Sequence, residues 1–211
     1  MRKQSGNMTA LDAPRRIRKP PKKVPENLIY EIMDGKPVYY KGYREVILGE
    51  KSIVEIMGSS SLQALIVFYL SAFIGKFIDE EIYTVLINEA GLHIDHKNNL
   101  ANDIAIFEQS VLTPDKISKK YASVPPKIAL EIDIDADVEA MSETGYIYKK
   151  TQKMLDFGTQ KIFWILTEAQ VVMIATSERI ETLHWNQDIE LMEGYSFNIG
   201  AYLAKKGVIL N

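Results

Sequence analysis

The 211-residue chain has no cysteine, which excludes disulfides, thiolate metal sites and cysteine nucleophiles, and nothing points to an oxidising compartment. A cytoplasmic setting is the expectation. Long apolar runs are also missing: the longest, Ala64 to Ile74, is broken by Ser71 and is well short of the roughly 20 residues that a membrane-spanning helix needs. It reads as a buried helix, and no membrane partner is expected. The basic N-terminus has neither the apolar stretch nor the small-residue cleavage site of a secretory signal, so the sequon Asn7-Met8-Thr9 carries little weight. No glycine-rich phosphate loop, helical zinc-protease motif or serine-nucleophile elbow is present.

What remains has the balance of an ordinary globular protein, with 46% apolar and 25% charged residues. The length favours one domain, spanning residues 26–211, preceded by an arm, residues 1–25. Net charge is −3, but it is unevenly spread. The arm, which includes Arg15, Arg16, Arg18, Lys19, Lys22 and Lys23, carries +7 and the remainder −10. A basic arm on an acidic body suits contact with a polyanion such as DNA. Proline-punctuated basic tails also serve as plain solubilising linkers.

Periodicity then predicts a mixed α/β (α+β) chain. Asp34-Gly35 between apolar and aromatic flanks predicts a hairpin over 28–40. Ser59 to Ser61 offer N-cap hydroxyls to a helix whose Leu62, Leu65, Ile66, Tyr69, Leu70 and Phe73 recur at helical spacing. Three short runs, 82–87, 91–95 and 103–107, read as a strand series. Residues 127–134 alternate strictly, with Ile128, Leu130, Ile132 and Ile134 on one face and Ala129, Glu131 and Asp133 on the other. A helix over about 140–157 stops at Gly158, strands follow over 161–167 and 171–176, residues 178–185 can extend the sheet, and 199–206 closes the chain as a helix.

The acids on two of these strands matter most. Asp103 shares a face with Ala105, as Glu131 does with Ala129. If the strands are neighbours, the carboxylates converge where small residues leave room for a ligand. Oxygen ligands from adjacent strands, completed by water, suit Mg²⁺ or Mn²⁺, and such an ion can polarise a phosphodiester and activate water. Each acid taken alone could equally decorate a solvated sheet face. Lys150 adds weight, because it falls on one helical stripe with Ile147, Met154 and Phe157. There it must either snorkel to water or meet a negative charge. Lys149 and Lys153 lie off this stripe and are expected to face solvent. His93, Asp95 and His96 form a weaker candidate metal cluster, and Tyr39, Tyr40 and Tyr43 are candidates for stacking on bases or for hairpin packing.

In order, Tyr30-Glu31-Ile-Met-Asp-Gly35, Asn102-Asp103-Ile-Ala-Ile, Leu130-Glu131-Ile132, Lys150, Gly158 and Lys161-Ile-Phe-Trp-Ile-Leu166 resemble an uncharacterised bacterial family of candidate restriction endonucleases. That family is assigned to the PD-(D/E)XK nuclease superfamily. The resemblance runs from about Tyr30 to Leu203. It implies a restriction-endonuclease-like core, a mixed sheet flanked by helices, and a Mg²⁺- or Mn²⁺-dependent endonuclease that hydrolyses DNA, with a homodimer as one assembly. It makes Asp103 and Glu131 the metal-binding acids and Lys150 the catalytic lysine; Asp133, on the same strand face as Glu131, is a further candidate ligand. Glu31 matches a recurrent glutamate of the family. The sequence departs from the superfamily pattern where Asn102 replaces the proline before the first acid, and where Asp133 stands at the usual lysine position two residues after the second. These departures leave open a catalytically silent relative that binds nucleic acid or a protein partner.

Overall fold

The computed structural model describes residues 24–139 and 141–210. Arg15, Arg16, Arg18, Lys19, Lys22 and Lys23 of the basic arm lie outside the described residues. The expected hairpin is present as β1 (Ile29–Met33) and β2 (Lys36–Tyr39). Its turn is Asp34-Gly35, at φ of 53° and 72°, the positive values a two-residue hairpin loop requires. A short helix that periodicity did not predict, α1 (Tyr43–Leu48), follows. The core helix α2 (Ser61–Ile74) begins where Ser60 accepts a hydrogen bond from the Gln63 N–H at 3.1 Å.

The first two predicted strand runs are in fact one strand, β3 (Tyr83–Asp95), paired along its length with β4 (Asn98–Glu108). The polar residues that seemed to separate the runs form a bulge instead: Asn88 and Glu89, at φ of 69° and 55°, stand against Asp103 alone. Then come β5 (Ile128–Ile132), α3 (Glu143–Phe157) and β6 (Lys161–Leu166), with β6 parallel to β5 and α3 as the crossover. Gly158 ends α3 at φ 118°, as its position predicts. The chain continues through β7 (Val171–Ala175) and β8 (Ile180–His184), then a separate ribbon of β9 (Ile189–Met192) and β10 (Tyr195–Phe197), and α4 (Ile199–Lys205). The ribbon is also unpredicted; its strands are too short for alternation to register.

The large sheet runs β2-β1-β4-β5-β6-β7-β8, with β3 on the other edge of β4. Pairing is antiparallel except for β5 with β6. On one face α2, α4 and the ribbon bury Ile66, Leu70, Leu203 and Phe197 against Ile104, Leu130 and Phe163. On the other face α3 buries Tyr146 and Met154 against Ala129, Ile162 and Trp164. One feature of this sheet positions the site. The edge of β4 opposite β3 is shared, with β1 meeting it at Asn99 and β5 at Ile104 to Ile106. The sheet forks between them.

Candidate functional site

In the fork, the backbone of Ala101 faces neither β1 nor β5, and a buried peptide group left unpaired is costly. Side chains complete it. Glu31 Oε1, from β1, accepts the Ala101 N–H at 2.9 Å, and Lys150 Nζ, from α3, donates to the Ala101 carbonyl at 2.7 Å. The same ammonium reaches Glu31 Oε1 at 2.7 Å and Glu131 Oε1 at 3.0 Å. Lys150 thus meets the negative charge that its place on an apolar stripe demands, and it is 0% exposed. Its three protons have three acceptors. The rings of Trp164, Tyr146 and Tyr30 lie 5.5, 5.9 and 6.0 Å from Nζ and add cation–π attraction.

Further contacts fix this centre. Tyr146, one turn before Lys150, donates its hydroxyl to Glu31 Oε2 at 2.7 Å. Asn102 turns its amide to Glu131 Oε1 and to the Ala101 carbonyl. Trp164 donates to Thr151 Oγ1 at 2.9 Å, holding the next residue of α3. Glu31 therefore has a role the sequence did not supply: it ties β1, β4 and α3 together through one carboxylate.

The register Ile104↔Leu130, continued by one residue, sets Asp103 opposite Glu131, as expected for neighbouring strands. Asp103 Oδ2 accepts the Ile132 N–H at 2.7 Å. Each acid spends one oxygen on the fold: Asp103 Oδ1 and Glu131 Oε2 make no hydrogen bond among the described residues. Asp133 does not join them. β5 ends at Ile132, Asp133 turns to φ 60°, and its two oxygens accept from the Thr167 N–H and hydroxyl at 2.7 Å each. The alternation that placed it on the Glu131 face stops one residue too early.

Charge in the fork is unbalanced. Glu31, Asp103 and Glu131 face the single cation of Lys150. Burial, above all, pushes the Asp103 carboxyl up to about 6, the Ile132 N–H and Lys150 opposing it. Burial likewise pushes Glu131 up to about 8, with Lys150 opposing and Asp103 and Glu31 adding. Burial also works against the Lys150 charge, but Glu131 and Glu31 overcome it and hold the ammonium above the ordinary lysine range.

Among the described residues no group of three or more His, Asp or Glu side chains gathers as a metal cluster. His93 instead pairs Nδ1 with Asn99 Oδ1 at 2.6 Å, and Asp95 accepts from Lys97 N and Asn98 at the β3–β4 turn. The available donor set is therefore the pair Asp103 and Glu131. That set fits Mg²⁺, which is commonly held by one or two carboxylates while keeping several waters. A divalent charge would also offset the excess of acid.

No protein-family model matches the sequence, and no curated protein matches it. The fold is similar to that of a solved crystal structure described as "a putative nuclease belonging to DUF820 from Anabaena variabilis ATCC 29413". The two chains share a fold. The TM-score is 0.57 at 14% identity, and the match covers 82% of this chain and 89% of that one.

Lys149 and Lys153 bind Asp34 at the hairpin turn, Lys149 at 2.5 Å, and their hydrogen bonds lower the Asp34 carboxyl to about 2. They pin the hairpin, and with it Glu31, to α3. Sequence reading missed Asn102, Tyr146 and the Asn88-Glu89 bulge. Tyr146 was accessible in principle, since it lies four residues before Lys150 and so shares its face. The bulge had no such signal.

Proposed function

We propose that this chain is a metal-dependent nuclease acting on DNA, with Asp103 and Glu131 holding Mg²⁺ or Mn²⁺. The observation that carries the reading is the buried contact of Lys150 with Glu131, on the strand next to Asp103, at the fork of a sheet whose fold matches that of a protein described as a nuclease. A divalent ion held there supplies Lewis acidity and an activated water. The chain's own residues prepare the acids. Lys150 orients Glu131 and favours its ionised form against the cost of burial, Glu31 and Tyr146 fix Lys150, and Ile132 N–H orients Asp103. Lys150 works here by placing Glu131, because all three of its protons already have acceptors inside the fold.

That same saturation favours a second reading. With Asp133 at the superfamily's lysine position and Lys150 committed to internal partners, the chain can be a silent relative that binds nucleic acid without cutting it. Supercoiled plasmid incubated with Mg²⁺ or Mn²⁺ separates the two. Nicking by the parent that disappears in Asp103→Asn and Glu131→Gln supports the nuclease. A parent that retards DNA in a gel yet leaves it intact with either ion supports the silent relative.

A further inference from the structure

α2 is apolar on more than its buried side. Ile66 and Leu70 are buried, yet Phe68, on the opposite face of the same turns, is 64% exposed. It borders an open groove of about 490 Å³ between α2 and α4, also lined by Tyr69 and Tyr202. Those two rings stack on each other at 4.0 Å and 13° and form a half-buried groove floor, which leaves Phe68 as the exposed ring.

Its rim is basic. Lys76, Lys205 and Lys206 line the groove, and Lys206 lies 5.7 Å from the Tyr202 centroid. None of the three forms an ion pair among the described residues. On a body carrying −10 outside the arm, three lysines without an ion pair around the exposed Phe68 ring are a local reversal of sign. The nearby Asp188 carboxylate is engaged by Asn198 Nδ2 at 2.9 Å.

We infer that this groove binds a single-stranded nucleic acid, with a base stacking on Phe68 and phosphates neutralised by Lys76, Lys205 and Lys206. An exposed flat ring beside cations without an ion pair matches the two chemical faces of a single strand, and stacking accepts any base. A duplex hides its base faces and gains only the charge. The groove also lies on the helix that serves the fork. Gln63, near the start of α2, donates to the Ile132 carbonyl at 3.0 Å, and Phe68 sits five residues on, about 7.5 Å along the axis. The inference concerns binding alone and does not depend on cleavage.

The test is fluorescence anisotropy of labelled oligo(dT) with the full chain in EDTA, so that no cutting intervenes, repeated over a range of salt. Phe68→Ala should weaken binding about fivefold or more. Lys205→Ala with Lys206→Ala should reduce the salt slope by about 1.4, two phosphate contacts at about 0.7 each. These side chains are exposed, and matching thermal unfolding curves confirm that the variants fold. A parent that does not bind oligo(dT), or variants that bind like the parent, overturn the inference. So does a concentration-dependent dimer that Phe68→Ala dissociates, because the groove would then be a contact between copies of this chain. Plasmid nicking, measured separately with Mg²⁺, reports on the fork whatever the oligonucleotide result.

Discussion

Replacing Lys150 with Met keeps most of the side chain's length and apolar stem while removing its charge. In the parent the ammonium lies 2.7 Å from Glu31 and 3.0 Å from Glu131, with all three groups buried. Without it the two carboxylates face each other in the fork and the Ala101 carbonyl loses its donor. Breaking a buried pair from one side costs about 3–5 kcal/mol, because the remaining charge is left uncompensated. That is a large part of the roughly 5–15 kcal/mol that holds a domain together. In a chain of this size it corresponds to a fall in Tm of about 6–20 °C. The fall should be greatest near pH 8 and smaller near pH 5, where Glu131, already raised by burial, takes up a proton. Adding Glu31→Gln to Lys150→Met should recover part of the loss, since one charge fewer is then stranded. Differential scanning fluorimetry at both pH values reads all of this. A Lys150→Met Tm within about 2 °C of the parent at pH 8 would show that the ammonium does not balance the acids.

Three further outcomes follow. In chelator the parent's stability should decline as the pH rises from about 4 to 8. Asp103 and Glu131 have folded-state values raised from 3.8 to about 6 and from 4.5 to about 8. Their contribution is complete below the unfolded values and is lost as pH passes the folded ones; a flat or rising Tm across that window contradicts this. Mn²⁺ binding should release protons, detected by calorimetry in buffers of different ionisation enthalpy, and Asp103→Asn should weaken it tenfold or more. An unchanged affinity removes Asp103 from the site. Gly158→Ala should cost about 1–2 kcal/mol in urea unfolding, because φ is 118° and the new Cβ would lie 3.1 Å from Pro125 Cγ; a neutral substitution would mean that α3 can end differently.

The elements legible in the sequence were those set by local chemistry. Asp34-Gly35 specified its turn, Ser60 its cap and Gly158 its stop, while the alternation of Ile128 to Ile132 specified a strand. Lys150 was legible for a different reason: a charge on an apolar stripe requires a partner wherever the chain goes. What could not be read was set by long-range pairing. The Asn88-Glu89 bulge looks like a strand end until β4 pairs past it, and Asp133 continues an alternating pattern that the backbone abandons. Glu31 gains its meaning only because β1 and β5 share one edge of β4, a consequence of topology that no window of the sequence contains.

The proposed nuclease requires the fork to hold a divalent ion between Asp103 and Glu131. A crystal grown near pH 8 with Mn²⁺, measured for anomalous scattering, tests it directly. A peak is expected within about 2.2 Å of an oxygen of each carboxylate, with Lys150 still bound to Glu31 and Asp133 still bound to Thr167. A saturated crystal with no peak between these two acids, or with Mn²⁺ bound elsewhere, would contradict it.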